Sequence, residues 1–310
     1  MLNGWVPRSK GCKRMEANKR IAVVTGGNKG IGLEICKELA ANGLGVILTA
    51  RDEKRGNEAV DKLTADYGFT NIIFHQLDVT DHSSIASLAD FVKKQFGKLD
   101  ILVNNAAITG VELSQPIDEK LPQPERAELF HKYIVQIFVQ SYEKAVDCLK
   151  TNYYGVKYMM EAFLPLLLLS NAGRIVNVSS SQGQLQGLTN NKLRKELEDI
   201  DNLTVERIDH LTNSFPKHVR DNTLEEGGWP PRFSAYRASK VLMNAYTRII
   251  AKRYPSVTIN CVNPGYVGTD LNYNTGALTV SEGARGPVMV ALAEGGPTGQ
   301  FYDQTQLSIF

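Results

Sequence analysis

The chain has 310 residues, of which 43% are hydrophobic and 22% are charged, an ordinary globular composition. This excludes a chain that stays disordered, because enough apolar surface is present to offset the chain entropy. The net charge of +2 gives no indication of a strongly acidic partner such as a nucleic acid or an anionic membrane. The four cysteines are widely scattered, which disfavours a disulfide framework or a zinc site and fits a reducing, cytoplasmic compartment.

The first eighteen residues are basic and lack an apolar core, so we expect a flexible extension rather than a secretory signal. Met15 is an alternative start, since the ordered pattern begins only at Lys19. The longest apolar run, residues 162–169, is interrupted by Pro165 and is shorter than the roughly 20 residues that a bilayer span needs. We therefore predict a soluble protein in which residues 19–310 form one domain.

Apolar runs alternate with helix-period segments through the first third of the chain. Because each run is continuous, the runs predict strands buried on both faces, and hence a parallel sheet with right-handed crossovers. In chain order we predict a strand at 21–25, a helix at 30–42, a strand at 45–50, a helix at 53–67, a strand at 71–77, a helix at 83–96 and a strand at 101–104.

This alternation is interrupted twice, at about 108–145 and 182–234. Outside the interruptions we predict a helix at 155–169, a strand at 174–178, a helix at 236–253 and a strand at 258–262. Both interruptions are too long for plain loops and contain helix-like pieces, at 130–149, 192–200 and 205–215. We interpret them as structured insertions at the carboxyl edge of the sheet.

A glycine-rich turn, Thr25-Gly26-Gly27-Asn28-Lys29-Gly30-Ile31-Gly32, joins the first predicted strand to the first helix. Glycines let the backbone there approach a pyrophosphate, whose charge then faces the helix N-terminus. A plain strand-to-helix loop is the alternative, but the position within a βαβ unit favours a dinucleotide site. We predict cofactor contacts from Gly26, Asn28, Lys29, Gly30, Ile31 and Gly32.

Arg51 follows the second predicted strand, where a carboxylate usually meets a free ribose hydroxyl and a cation meets a 2′-phosphate. Arg51 and Lys29 are therefore expected to converge on a phosphate, which predicts NADPH in preference to NADH. The alternative is that Arg51 pairs on the surface with Asp52 or Glu53.

Tyr236 and Lys240 lie four residues apart on a predicted helix, so both side chains share one face. A buried ammonium beside a phenol stabilises the phenolate and lowers its pKa, which allows proton exchange with an alcohol or carbonyl oxygen. Such pairs are common by chance on surfaces. The position of this pair downstream of the glycine-rich turn is what favours a catalytic role.

Ser179 and Ser180 follow the strand predicted at 174–178. A hydroxyl there can bind the substrate oxygen, and we favour Ser180 for this role over Ser179. Asn152 lies inside a predicted helix, where asparagine is a poor helix former. We predict that Asn152 binds a water that links it to Lys240, with a solvent-facing asparagine as the alternative.

Six segments occur in the order and spacing of the short-chain dehydrogenase/reductase family, which the chain resembles from about Lys19 onward. They are the glycine-rich turn, Leu77-Asp78-Val79, Asn104-Asn105-Ala106-Ala107, the segment 175–180, the segment 236–240 and Asn263-Pro264-Gly265. The insertions and the segment 97–103 resemble the plant carbonyl-reductase-like subgroup, of the salutaridine reductase and menthone reductase/neomenthol dehydrogenase type. The resemblance implies an α/β fold, a Rossmann-type doubly wound parallel sheet of about seven strands.

The resemblance also implies that Asn152, Ser180, Tyr236 and Lys240 form a catalytic tetrad. Asp78 would contact the adenine, Asn104 would support the strand beside the cofactor, and Thr269 would meet the nicotinamide carboxamide. Further cofactor contacts would come from Val79, Tyr236, Lys240, Pro264, Gly265 and Val267. Ala107 departs from the family pattern, which usually has glycine, and adds one methyl group near the cofactor.

We therefore predict an NADPH-dependent carbonyl reductase, reversible as an alcohol dehydrogenase, in which Tyr236 supplies the proton. An alkene-reducing relative in the subgroup has glutamate at the tyrosine position, so Tyr236 favours carbonyl reduction over enone C=C reduction. A non-catalytic NADP-binding protein is the third possibility, which the intact tetrad disfavours.

Apolar residues in and after the insertions are candidates for a pocket that takes a hydrophobic terpenoid or aromatic ketone or aldehyde. The alternative is that they pack locally; they are Leu113, Leu121, Phe130, Ile137, Phe138, Leu185, Leu188, Trp229 and Tyr266. We expect a monomer, because by resemblance the insertion at 108–145 packs across the helices that form the dimer face in many relatives.

Overall fold

A computed structural model describes residues 19–113 and 120–310. The predicted N-terminal extension at 1–18 lies outside the described residues, as do residues 114–119 of the first insertion. Side chains are likewise not described at positions 113, 131 and 133–139, which include the pocket candidates Leu113, Ile137 and Phe138.

An eight-stranded sheet lies at the centre of the structure, with the strand order β10-β9-β8-β7-β4-β1-β2-β3. Seven strands are parallel, and only the edge strand β10 runs antiparallel to its neighbour β9. The strands are β1 (Ile21–Val24), β2 (Gly45–Ala50), β3 (Ile72–Gln76), β4 (Ile101–Asn104), β7 (Arg174–Val178), β8 (Thr258–Asn263), β9 (Phe301–Asp303) and β10 (Gln306–Ser308). The Rossmann-type prediction is confirmed, and β10 is a strand beyond the seven expected.

Helices cover both faces of this sheet. On one face, Leu39 of α1, Leu63 of α2 and Val290 of α10 belong to one buried cluster. On the other face, Leu88 of α3, Phe163 of α6 and Leu242 of α9 belong to a second cluster. The helices named so far are α1 (Gly30–Ala41), α2 (Glu53–Tyr67), α3 (His82–Phe96), α6 (Gly155–Leu167), α9 (Ser234–Arg253) and α10 (Val280–Leu292). Among the described residues, no helix combines the length and apolarity that crossing a membrane requires.

The first insertion contains the short strands β5 (Glu112–Leu113) and β6 (Phe138–Val139) on either side of helix α4 (Gln123–Ile137). Helix α4 lies against the segment that follows β8. The Gln123 Nε2 atom donates to the backbone oxygens of Thr275, at 3.2 Å, and Gly276, at 3.0 Å. The Phe130 ring lies 6.2 Å from the ring of Tyr273. The first insertion therefore borders the carboxyl edge of the sheet, as predicted.

The second insertion contains helices α7 (Asn191–Glu198) and α8 (Val205–Arg220). Helix α8 packs against α9 and α5 (Tyr142–Leu149), the helix that precedes α6. Asp209 of α8 accepts hydrogen bonds from Tyr153 Oη, at 2.7 Å, and Lys157 Nζ. Helix α8 of the second insertion therefore packs on these helices, while the expectation that the first insertion covers them stays a prediction.

Replacing Asp209 with alanine tests this docking. The variant leaves the buried Tyr153 hydroxyl and the largely buried Lys157 ammonium without their shared acceptor. We expect the free energy of unfolding, measured with urea, to fall by about 2 kcal/mol. The control is Asp201→Ala, which removes an exposed ion pair with Lys252. This variant is expected to show no measurable change in the free energy of unfolding. Equal losses in both variants would show that the Asp209 contacts do not secure α8.

Candidate active site

The glycine-rich turn leaves β1 and enters α1 at the point where the strand order of the sheet reverses, between β1 and β4. Gly26 and Gly30 have φ angles of +64° and +55°, which favour glycine. A Cβ atom on Gly32 would lie 2.3 Å from the backbone oxygen of Gly26, so only glycine fits there. Lys29 caps α1 without a side-chain hydrogen bond, so the first backbone N–H groups of the helix can bind an anion.

A cavity of about 600 Å³ opens in front of this turn. Ten predicted cofactor residues line it: Gly26, Asn28, Lys29, Gly30, Ile31, Gly32, Arg51, Asp78, Val79 and Thr269. Ala107, the departure from the family pattern, also lines it. The structure therefore brings together residues from the ends of β1, β2, β3, β4 and β8.

Six other predicted cofactor residues are not part of the described cavity wall: Asn104, Tyr236, Lys240, Pro264, Gly265 and Val267. Asn104 is buried, and its Nδ2 atom donates to Asn177 Oδ1 at 2.8 Å, so it joins β4 to β7. Pro264, Gly265 and Val267 belong to the segment after β8 that leads into the lining residues Gly268 and Thr269.

Most of the loop after β4 was not predicted to line the site. Residues 105–109 all line the cavity. Asn105 also holds the glycine-rich turn in place, because its Nδ2 atom donates to the backbone oxygens of Thr25, at 2.9 Å, and Gly26, at 3.2 Å. The position of this loop at the carboxyl end of a parallel strand next to β1 was the available signal. Other lining residues that were not predicted are Ala50, Leu77, Thr80, Thr151, Gly268, Asp270, Leu271, Tyr273, Asn274 and Val280.

Lys29 and Arg51 line the same cavity, but Lys29 already has an anionic partner. Its Nζ atom lies 2.7 Å from Asp270 Oδ2, across the opening between the glycine-rich turn and the segment after β8. The hydrogen bond with Lys29 lowers the pKa of Asp270, and the charge of Arg55 adds to this effect. Asp52, the suggested surface partner of Arg51, accepts the backbone N–H of Arg55 and so caps α2.

Tyr236 and Lys240 lie on α9 and face the end of β7. Lys240 is buried, and its Nζ atom donates to the backbone oxygen of Val178 at 2.7 Å and lies 5.7 Å from the centre of the Tyr236 ring. Burial lowers the pKa of Lys240 to about 8. Burial raises the pKa of Tyr236 to about 12, while a hydrogen bond with Ser180 opposes this rise.

Burial is the largest influence on the pKa of Tyr236, and the lowering of this pKa by Lys240 stays a prediction. Desolvation disfavours the charged form of both groups and outweighs the other influences on the phenol. Tyr236 consequently keeps its proton at neutral pH, which suits a proton donor.

The two serines differ in their partners. Ser179 is buried, and its hydroxyl donates to Asn244 Oδ1 at 2.7 Å. Ser180 is partly exposed, accepts the backbone N–H of Gln182 at 3.2 Å and lies close enough to Tyr236 to oppose the rise in its pKa. The contact with Tyr236 favours Ser180 as the hydroxyl that meets a substrate.

Asn152 lies in a π-helical turn, Lys150–Tyr154, that separates α5 from α6. It is fully buried, so the solvent-facing alternative is wrong. Its side-chain amide pairs with the backbone of Ile108, accepting from N and donating to O at 2.9 Å each. It also donates to Ser239 Oγ at 3.0 Å. Because Ile108 lines the cavity and Ser239 belongs to α9, Asn152 joins the cavity wall to the helix that carries Tyr236.

The proposed apolar pocket residues divide into two groups. One group is Leu185, Leu188 and Trp229, which are buried members of the core cluster. These three residues therefore pack locally, as the alternative proposed. Phe130 is buried beside Tyr273, while Tyr266 is 40% exposed near the segment that lines the cavity. Leu121 is partly exposed, two residues before helix α4.

Comparison with known proteins agrees with this geometry. The sequence pattern of the family described as short chain dehydrogenase matches residues 20–191. Salutaridine reductase of Papaver bracteatum is 46% identical, with 96% of this chain and 99% of that protein covered. The (+)-neomenthol dehydrogenase of Arabidopsis thaliana is 48% identical over 95% of this chain and 99% of its own length.

The solved structure of salutaridine reductase from Papaver somniferum superposes with a TM-score of 0.84 at 47% identity. It covers 92% of this chain and 99% of its own. The fold, the order of the motifs and these similarities lead to one conclusion. The chain belongs to the short-chain dehydrogenase/reductase family and is an oxidoreductase.

Proposed function

We propose that the protein is a monomeric, cytoplasmic, NADPH-dependent carbonyl reductase that acts on hydrophobic ketones or aldehydes, reversibly as an alcohol dehydrogenase. The observation that carries the proposal is the geometry of the buried Lys240, whose Nζ atom lies 5.7 Å from the centre of the Tyr236 ring and donates to Val178, at the end of the strand that leads to Ser180. A proton donor and an oxygen-binding hydroxyl then meet at one point of the cleft.

The residues present fit a dinucleotide. The first backbone N–H groups of α1 can bind a pyrophosphate, and the turn before them has no side chain at Gly26 or Gly32. A Cβ atom added at either glycine would crowd the atoms around the turn. Arg51 supplies positive charge at the cavity wall, where Lys29 is paired with Asp270, and this charge supports a 2′-phosphate and therefore NADPH. Asp78 and Thr269 are proposed to hold the adenine and the nicotinamide carboxamide, respectively.

When bound, the reduced nicotinamide supplies a hydride to the carbonyl carbon. Ser180 Oγ orients the carbonyl oxygen and stabilises the negative charge that develops on it. Tyr236 Oη gives its proton to that oxygen, which is favourable because an alkoxide is a stronger base than a phenolate. Lys240, as the ammonium, places positive charge beside the phenolate that results.

Asn152 is proposed to complete a proton relay to Lys240 through a water. Its side-chain amide is bound to Ile108 and Ser239, so we propose the backbone oxygen of Asn152 as the group that binds this water. The irregular turn supports this role, since π-helical turns commonly mark functional positions.

The substrate class rests on the surroundings of the cavity and on the relatives. Phe130, Tyr266 and Tyr273 place aromatic rings where the first insertion meets the segment after β8. Relatives named for salutaridine and neomenthol support a terpenoid or similarly hydrophobic substrate, including aromatic ketones and aldehydes. Tyr236 itself favours carbonyl reduction over C=C reduction.

Replacing Tyr236 with phenylalanine removes the proton donor and leaves the ring. We expect kcat for ketone reduction with NADPH to fall about a thousandfold. Tyr246→Phe is the control, because it removes a buried phenol oxygen from the same helix outside the cleft and is expected to retain near-normal turnover.

Product analysis of the wild-type protein with a cyclic enone separates the alternatives. We expect the allylic alcohol, whereas the saturated ketone would identify a C=C reductase. NADPH binding without oxidation over a panel of ketones would identify a non-catalytic protein. Near-normal turnover of Tyr236→Phe would contradict the mechanism.

Replacing Arg51 with alanine tests the cofactor preference. Loss of a charge-assisted hydrogen bond is expected to weaken NADPH binding about tenfold, measured by fluorescence titration, with little change for NADH. Lys54→Ala is the control, since it removes the same charge from an exposed position on α2. Equal affinity of the wild-type protein for NADPH and NADH would refute the preference.

The monomer proposal is supported by α8, which packs on α5 and α9 where many relatives have their dimer face. Light scattering at micromolar concentration is expected to give a mass near 34.3 kDa. Twice that mass would show that another surface joins two copies.

A further inference from the structure

Asn244 lies one helical turn beyond Lys240 on α9 and is buried to all but 2% of its surface. Its amide has two partners on the segment after β7. Asn244 Oδ1 accepts from the Ser179 hydroxyl at 2.7 Å, and Asn244 Nδ2 donates to the backbone oxygen of Gly183 at 2.9 Å. One side chain therefore binds the chain on both sides of Ser180.

Contacts with β8 and α9 hold residues 179–183 in place. Ser179 N donates to the backbone oxygen of Val262 at 2.7 Å, which holds the residue to β8. A Cβ atom on Gly183 would lie 2.9 Å from both Asn244 Nδ2 and Lys240 Cβ, so the turn rests directly on α9. Ser180 lies between the two residues that Asn244 binds, and it is close enough to Tyr236 to influence the pKa of the phenol.

We propose that Asn244 is a positioning residue for the reaction, which holds Ser180 at the distance from Tyr236 at which both hydroxyls reach one substrate oxygen. This inference rests on the proposed function, since it takes Ser180 as the group that binds that oxygen. Asn244 itself is not among the residues that line the described cavity. Its effect is geometric, because a small displacement of an oxygen-binding group weakens its contact with the reacting atom.

The main test compares Asn244→Ala with Asn260→Ala. Asn260 is a matched control, because it is also 2% exposed and its amide also holds two backbone groups, Pro297 O at 3.0 Å and Gln300 N at 2.8 Å. Both variants are expected to lose similar thermal stability. Only Asn244→Ala is expected to lower kcat for ketone reduction, by about tenfold or more, with NADPH affinity within about twofold of wild type.

The pH profile of alcohol oxidation gives a second readout. The hydrogen bond from Ser180 opposes the rise in the pKa of Tyr236, so displacing Ser180 removes this opposition. Oxidation requires the phenolate, and its rising limb is therefore expected to move to higher pH in Asn244→Ala, by about half a unit or more. Asn260→Ala is expected to keep the wild-type profile.

Two further variants keep the test decisive if Asn244→Ala folds poorly. Ser179→Ala removes one oxygen and only the first of the two Asn244 contacts, so we expect a smaller loss of kcat with the pH shift in the same direction. In the Ser180→Ala background, adding Asn244→Ala is expected to cost less than about twofold, because both changes act through one hydroxyl.

The inference is overturned if Asn244→Ala and Ser179→Ala match Asn260→Ala in kcat and pH profile while Ser180→Ala is inactive. It is also overturned if the loss of kcat in the double variant equals the product of the losses in Asn244→Ala and Ser180→Ala. Wild-type turnover by Ser180→Ala would instead refute the proposed function of Ser180, and the positioning role would fail with it.

Discussion

The hydrogen bond from Lys240 Nζ to the backbone oxygen of Val178 joins helix α9 to the end of strand β7, and the candidate site depends on this junction. A second buried contact on the same two elements joins Asn177 Nδ2 to Thr247 Oγ1 at 2.8 Å. An apolar helix face packed on a sheet tolerates sliding, whereas buried directional bonds lose energy as soon as the register changes. This constraint places Tyr236 opposite Ser180.

The cavity wall is connected to the same junction through Ser239. Its hydroxyl donates to the backbone oxygen of Tyr236 at 2.7 Å and accepts from Asn152. Asn152 in turn holds Ile108 in the loop after β4. The loop that lines the cavity and the helix that carries Tyr236 are therefore positioned together, as the proposed carbonyl reduction requires.

The two insertions have different structural roles, and their sequences do not show which is which. Both carry amphipathic helices, yet α4 lies against the segment after β8 while α8 packs on α5 and α9. An apolar residue in such an insertion is equally suited to a pocket and to a core. Trp229 illustrates this, since it fills the space beside Phe215 with a ring-centre distance of 5.4 Å.

The sequence by itself determined the parallel sheet, most element boundaries and the glycine-rich turn, because apolar periodicity and glycine spacing reflect the local backbone. It also indicated Tyr236 and Lys240, which lie four residues apart on one helix, and Ser180, which follows the end of a strand. Only the tertiary structure decided which polar groups meet. Lys29 and Asp270 are 241 positions apart, and Asn244 reaches Ser179 from another element. The pKa directions of Tyr236 and Lys240 were decided there too, because burial depends on every element packed around a group and not on its neighbours in the chain.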